Sequence, residues 1–500
     1  MEHNSILPNG WCLTTLQEIA SWGSGGTPSR AVPRYFAGTI PWIKTGELGE
    51  KYIRCSEEKI SEEALNNSSA KIFPKNSVGI AMYGATIGKL SIWGIDASTN
   101  QACAVGVPSE AVDKEYLYYF LLSERETLIK AGKGGAQPNI SQGIIKEWPI
   151  ALTPLREQHR IVAKIEELFS ELDKGIESLK TAQAQLKVYR QALLKHAFEG
   201  KLTAQWRADN PDKLGPADVV LKRIQLERAQ RYQQQLANWE ASGKQGGKPK
   251  APKLLTPLTA EELDQLPNLP TGWRWEKNEN YLFEVKDGTH DTPSYLNSGI
   301  PFVTQKNIRD GRLNMEDVAF ISSEDHTKFY KRSNVQQGDI IISMIGHGRG
   351  QCCIVKSDVV FSIKNVGLFK FFHEFQSNEF LCFYYQSTGG LNLALSKSKG
   401  GAQPFIGLTE LRNWPVPVCS HQEQRQIVEE LAAKFSEIEQ LEQTINTSRQ
   451  QAEALRRSIL KKAFSGQLVP QDPHDEPASA LLARIKAGKS VQHQGKKTRK

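Results

Sequence analysis

The chain has 500 residues, too many for one compact core, so two or more domains are expected. Hydrophobic residues make up 39% and charged residues 24%, and the formal net charge of +8 is a mild basic excess that suits nucleic acid as a partner. No apolar stretch reaches the roughly 18 residues a membrane helix needs. The start, Met1-Glu2-His3-Asn4, is polar with no apolar region behind it, and the seven cysteines form no CxxC pair, so neither zinc spacing nor a disulfide framework is expected. These features predict a cytoplasmic protein without a membrane partner.

The first block opens on Leu7-Pro8-Asn9-Gly10-Trp11 and closes on Trp148-Pro149. Within it, 77–82 reads as a strand and Tyr116 to Leu122 as a helix, separated by glycine turns at Gly84, Gly88 and Gly94. Its loops concentrate hydrogen-bonding side chains: Lys44, Thr45 and Glu47, then Thr86 and Lys89, then Lys133, Gln137 and Asn139. Pro154 next precedes a helical pattern, with Glu157 in its first turn. Ile165, Leu172, Leu179, Leu186 and Leu193 recur every seven residues and are assigned to heptad position a; Leu168, Gly175, Ala182, Tyr189 and His196 fall at d. A charged helix is expected over 217–241, followed by a lysine-rich linker from Gly243 to Lys253.

Then the unit repeats. Leu269-Pro270-Thr271-Gly272-Trp273 answers the opening motif, and Gly400-Gly401-Ala402-Gln403-Pro404 answers Gly134-Gly135-Ala136-Gln137-Pro138 at an offset of 266. That offset holds without a gap through Trp414-Pro415, Glu423-Gln424 and Ala463-Phe464, which chance cannot produce. Shifted by 266, the a positions become Leu431, Ile438, Ile445, Ala452 and Ile459, with Leu441 and Leu455 at d. Weak d positions argue against a parallel homodimer and for two helices packed antiparallel within one chain, a spacer of about 65 Å at 1.5 Å per residue. In the second block 339–344 reads as a strand and Glu379 to Tyr385 as a helix. Its loops carry Thr289 and His290, then Gln305, Lys306, Asn307 and Arg309, then His347, Arg349, Lys364, Asn365, Lys399 and Gln403. A basic tail with Lys496, Lys497, Arg499 and Lys500 ends the chain.

The expected fold is α+β: two mixed α/β blocks joined by two long antiparallel coiled-coil helices, related as a pseudo-twofold internal repeat. The bounds are 1–150 for the first block, 151–202 for the central helix and 203–268 for a helical extension and basic linker. The second block spans 269–418, the second helix 419–468, and a short helix and tail 469–500. Well-kept helices and diverged loops suit one scaffold presenting two different recognition surfaces. Side chains of these types on loops pair with base edges or phosphates, so all the loop residues named above are candidate DNA contacts. Metal ligation by His290, Asp291 or His347 is not expected without a spaced partner set. No GxxxxGK[ST] loop and no Asn-Pro-Pro-Tyr or Asp-Pro-Pro-Tyr sequence occurs, so a non-catalytic chain is expected.

Two variable blocks, each closed by Trp-Pro and a long helix that contains Glu-Gln and ends in Ala-Phe-x-Gly-x-Leu, resemble the specificity subunits of type I restriction-modification systems. The resemblance implies that each block is a target recognition domain reading one half of a split, asymmetric target in double-stranded DNA. It implies that the helices set the gap between half-sites, with centres roughly 34 Å apart for one face of the duplex. It further implies two modification subunits that use S-adenosylmethionine to methylate adenine, and restriction subunits that use ATP and magnesium. None of these cofactors would bind this chain. The 203–268 insertion is a departure from shorter relatives. The same architecture would also serve a two-gene system that cuts on both sides of its site, or a coiled-coil adaptor that binds no DNA.

Overall fold

The computed structural model describes residues 7–132, 139–399 and 404–497, with side chains to 487. The chain divides into two compact units, Met1–Lys180 with Asn446–Lys500, and Thr181–Ile445. These units cut across the block bounds expected from sequence, because each takes half of each long helix. The helices are Leu155–Phe198 and His421–Ala463.

In the first unit, Cys12–Thr15 pairs antiparallel with Pro149–Leu152, which brings the two ends of the block together. A five-stranded sheet follows the order Ala20–Ser24, Cys103–Pro108, Val78–Ala81, Leu90–Trp93, Tyr52–Ile53. A three-stranded sheet has Ile40–Ile43 between Glu58–Ile60 and Ser98–Thr99. Strand alternation decides the packing. Val78, Ile80, Leu90 and Ile92 face Tyr116, Leu117 and Phe120 of helix Lys114–Ser123, whereas Ala81, Trp93, Cys103 and Val105 face a smaller core with Ile43. The strand and helix expected at 77–82 and 116–122 are therefore both present.

The second unit repeats the plan. Arg274–Lys277 pairs with Pro415–Val418, and a four-stranded sheet runs Glu284–Asp287, Val366–Lys370, Ile340–Ser343, Cys352–Ile354. A second sheet has Ile300–Val303 between Ala319–Ile321 and Ser362–Ile363. Helix Asn378–Gln386 stands where 379–385 was expected, and helix Ala217–Ala241 forms as read. This last helix packs on the second unit: Leu221 and Ile224 enter its core, and Arg231 lies over the rings of Phe283 and Phe372.

The glutamate and glutamine that open each long helix lock it to its block. Trp11 donates its indole N–H to Glu157 Oε2 at 3.0 Å, and Trp273 to Glu423 Oε2 at 2.8 Å. Gln158 accepts from the Asp113 N–H at 2.9 Å, and Gln424 from the Ser377 N–H at 3.0 Å. Glu157, which in sequence reads only as a favourable first-turn charge, is buried.

The helices pack antiparallel within each unit. In the first, Arg456 lies over the Phe169 ring, 4.8 Å from its centroid; in the second, Arg190 lies over Phe435 at 4.7 Å. These are one pair of repeat positions with the roles exchanged, 266 residues apart. The a row is as expected: Ile165, Leu193, Leu431, Ile438, Ile445 and Ile459 are buried, and Leu172, Leu179, Leu186 and Ala452 half-buried. The d row is corrected. Leu441 and Leu455 are 53% and 49% exposed, and Gly175, Tyr189 and His196 also face outward. The second seam row lies at e: Phe169, Ile176, Gln183, Arg190 and Ala197, with Phe435, Glu442, Arg449, Arg456 and Ala463 opposite. A step of four residues serves a 3.5-residue period as well as a step of three. The arginines hid this row, because their stems cover apolar surface while their charge reads as solvent-facing.

Each helix ends on a left-handed glycine, Gly200 at φ +70° and Gly466 at φ +73°. The next N–H reaches back to the last turn, Lys201 to His196 O at 2.8 Å and Gln467 to Lys462 O at 2.9 Å. The opening proline of a block packs on each: a Cβ on Gly466 would lie 2.5 Å from Pro8 Cγ, and one on Gly200 2.1 Å from Pro270 Cγ. Gly466→Ala should therefore cost about 1–2 kcal/mol, from left-handed strain and the clash together. Gly175→Ala, mid-helix with nothing within 4 Å, should instead gain up to about 1 kcal/mol. Denaturant unfolding of the two variants checks the opposite signs.

Candidate nucleic-acid interface

Five loops gather at one edge of each unit because backbone hydrogen bonds stitch the strand ends together. In the first unit Gly26 N–H reaches Thr99 O at 2.9 Å and Asn100 N–H reaches Ile43 O at 3.3 Å. Met82 N–H meets Ala102 O, and Ile140 N–H meets Met82 O, both at 2.8 Å. The second unit repeats the stitches. Thr289 N–H bonds Ile363 O at 3.0 Å, Lys364 N–H bonds Val303 O at 2.9 Å, Met344 N–H bonds Asn365 O at 3.4 Å, and Ile406 N–H bonds Met344 O at 2.8 Å. Loops scattered along the sequence thus converge, and nearly all candidate residues lie on or beside them.

Their states differ. In the first unit Lys44 is held by Glu57 at 2.8 Å and Glu58 at 3.1 Å, and the hydrogen bond to Glu57, then that to Glu58, raises its pKa. Glu58 also binds Arg30 at 2.6 Å, and that bond leads in lowering the Glu58 pKa. Thr45, Thr86 and Lys89 are half-buried and Asn139 is exposed. Lys133 and Gln137 lie outside the described residues. In the second unit Lys306, Arg309 and His347 are exposed and Gln305 is half-buried. Arg349 donates Nε–H to Ser398 Oγ at 3.1 Å and Nη1–H to Gly346 O at 3.3 Å, which ties the glycine-rich turn to the segment after 396. Lys364 donates to Thr292 Oγ1, and Lys399 pairs with Glu410 at 2.6 Å. Gln403 lies outside the described residues.

Three candidates are engaged within the protein. Glu47 accepts the N–H groups of Lys44 at 2.8 Å and Glu57 at 2.9 Å, so its carboxylate folds the loop. Asn307 is buried, accepting the Thr304 N–H at 2.9 Å and donating to Asn314 O and Asp317 O at 3.2 and 3.3 Å. Thr289 is also buried and accepts the Asp291 N–H at 3.1 Å. Each of these side chains holds backbone groups of its own loop and so shapes it.

Sequence reasoning missed residues at the same edge. Thr27 donates to Gln101 in the first unit, and Arg332 grips Asp287 through Nε and Nη2 at 3.0 and 2.7 Å in the second. A signal existed: Thr27-Pro28-Ser29 recurs as Thr292-Pro293-Ser294. Both copies follow a glycine where no side chain fits. A Cβ on Gly25 would lie 1.9 Å from Thr99 O, and one on Gly288 2.1 Å from Ile363 O. Among the described residues no cluster of three or more His, Cys, Asp or Glu side chains could hold a metal, and no helix is long and apolar enough to cross a membrane.

Residues 8–183 and 279–448 match the family model described as type I restriction modification DNA specificity domain. The two segments cover more than half of the chain, which belongs to this family and carries its domain twice. Its relatives in that family are specificity subunits of type I restriction enzymes. The EcoR124I/EcoR124II specificity subunit of Escherichia coli is 30% identical over 189 residues, 36% of this chain and about half (47%) of that relative. The EcoDI specificity subunit of Escherichia coli is 23% identical over 504 residues, 93% of this chain and 99% of that one. A chain from a structure described as the basis of complex assembly and conformational transition of the type I R-M system shares the fold, with a TM-score of 0.63 at 18% identity. That match covers 93% of this chain and 100% of the other. The HsdS subunit from Thermoanaerobacter tengcongensis matches with a TM-score of 0.50 at 17% identity, over the same shares.

Proposed function

We propose that this chain is the DNA-reading subunit of a type I restriction-modification complex, in which each five-loop edge binds one half of a split, asymmetric duplex target. One observation carries the proposal: the same stitched edge is built twice on a repeated frame, yet Lys44, Thr45, Thr86 and Asn139 on one edge give way to Lys306, Arg309, His347 and Asn365 on the other. A shared frame with different hydrogen-bonding groups is what two different half-sites require. The long helices set the spacing and dock two modification subunits, whose S-adenosylmethionine chemistry methylates adenine at the chosen site. Restriction subunits bring ATP and magnesium. This chain supplies recognition and no catalytic group.

Two measurements test this. Exchanging residues 11–148 for the corresponding block of another family member, with Trp11 and Trp148 kept, should change one half of the methylated target and leave the other; both halves changing together would refute the division of labour. Binding to duplex should weaken linearly in log–log form with salt. Replacing Lys306 and Arg309 by Ala should flatten that slope by up to about 1 per lost phosphate contact. A flat salt response in the unaltered chain would point to an adaptor with no phosphate contacts.

A further inference from the structure

At the edge of the second unit a relay of side chains leads to Asn365. Asp287 is buried at the end of its strand, and Arg332 from helix Ser323–Ser333 holds its Oδ1 through two nitrogens. The other oxygen, Oδ2, lies 3.1 Å from Nε2 of His290. The opposite ring nitrogen, Nδ1, lies 2.7 Å from Oδ1 of Asn365. Asn365 sits in the turn between Ser362–Ile363 and Val366–Lys370 at φ +53°, held by its N–H to Thr289 O at 3.1 Å and its carbonyl to Met344 N–H. It therefore joins three of the five loops. Among the described residues, its Nδ2 meets no acceptor.

We propose that Asn365 is a specificity-determining residue whose outward-facing group is set by the protonation of His290, with Asp287 and Arg332 as positioning residues. The argument is one of donors and acceptors, and it rests on the DNA-reading function proposed above. A carboxylate gripped by a guanidinium only accepts, so Nε2 must carry a proton to bond Asp287. With Asn365 Oδ1 turned toward Nδ1, that nitrogen needs a proton too. Both protons are present only in the imidazolium form, and Asn365 then presents its NH2 outward. A neutral imidazole keeps the Nε2 proton opposite Asp287 and bares Nδ1, the released proton going to water, since the His290 side chain is 57% exposed. The amide must then turn over and donate Nδ2–H to Nδ1, which presents the carbonyl outward. An outward donor suits guanine O6 and N7 or thymine O4; an outward acceptor suits the amino groups of adenine and cytosine. Beside the His290–Asn365 pair stand Lys364 from the same turn, and Asp291, next to His290 in sequence and paired with Lys328 of the Ser323–Ser333 helix at 3.4 Å. His326 of that helix is turned to Ser362 Oγ at 2.9 Å.

The test is selection from a randomised duplex library by the complex purified through a tag on this chain, at pH 5.5 and pH 8.5, which bracket the range in which imidazoles change charge. One position of the half-site read by the second unit should shift from guanine or thymine at low pH to adenine or cytosine at high pH, with base preference changing about tenfold. Asn365→Asp offers only acceptors while ionised and should fix the high-pH preference at both values. His290→Phe should abolish the pH dependence while leaving the other half-site as it was. A selected motif identical at both pH values overturns the relay and leaves the DNA-reading function standing. A library that yields no motif at either pH overturns that function and the relay with it.

Discussion

Glu423→Gln is expected to destabilise the second unit by about 2–4 kcal/mol, whereas the same change at the equivalent Glu157 leaves the first unit unchanged or more stable. Both carboxylates sit at the start of a long helix and accept an indole N–H, so the sequence repeat suggests equal roles. Their second oxygens differ. Glu423 Oε1 accepts from Arg207 Nη1 at 2.7 Å and from Thr203 Oγ1 at 2.9 Å, and Arg207 is only 17% exposed. Gln would leave that guanidinium without a counter-charge, the situation in which a broken buried pair costs about 3–5 kcal/mol, less what the partial exposure of Arg207 returns. Glu157 has no such partner, because the residue 266 positions beyond Arg207 is Pro473. Its Oε1 has no hydrogen-bond partner among the described residues. Asp475 stands nearby, itself bound to Arg160 at 2.6 Å. Burial pushes the Glu157 carboxyl up, the Trp11 bond opposes this, Arg160 also lowers it and Asp475 adds a small further rise. A carboxyl whose folded pKa is raised contributes stability below its ordinary value and loses it as pH climbs through the raised one. Glu157→Gln removes that loss while keeping an acceptor for Trp11. Urea unfolding from pH 5 to 8 should show a shallower decline for Glu157→Gln and a large drop for Glu423→Gln at every pH. Equal effects of the two changes would refute the asymmetry.

The pair shows what the repeat made legible and what it did not. Residues that keep the 266 offset, such as Trp148 and Trp414 or Gly200 and Gly466, announced their structural role because the frame needs them twice. The a row of the helices was equally plain, since a branched apolar residue every seven positions has few other uses. The e row escaped because Arg190 and Arg456 read as surface charges until an aromatic ring is found beneath them. The candidate edge was legible by residue type but not by state. Nothing in the sequence separates an asparagine that shapes a loop, Asn307, from one that faces out of it, Asn365, since both follow a lysine in a polar turn. Burial decides that, and burial depends on strands far away in the chain. Arg332 was invisible for the same reason: its partner Asp287 is 45 residues away.

The seam geometry also changes how the spacing function should be tested. A four-residue deletion within one long helix turns everything beyond it by about 400°, some 40° past a full turn, and moves the e row off the seam. Such a variant would lose packing and spacing together, and a changed target could not be assigned to either. Seven residues correspond to about 700°, only 20° short of two turns. Phe169 lies opposite Arg456 and Arg190 opposite Phe435, so 176–182 lies opposite 443–449. Removing both segments deletes one a residue and one e residue from each helix and keeps every remaining pair in step. The doubly deleted chain should unfold within a few degrees of the unaltered one, since only Ile176, Leu179, Ile445 and Arg449 leave the seam and, of these, only Ile445 is buried. Its complex should methylate the same two half-sites with a shorter gap and should lose binding to the original target by at least tenfold. Deleting 176–182 alone should lower the melting temperature, because it faces Arg449 and Ile445 with residues from the wrong heptad. If the double deletion kept the original gap, the helices would not set the spacing. If it changed the bases read, the two edges would not be independent of the frame that carries them.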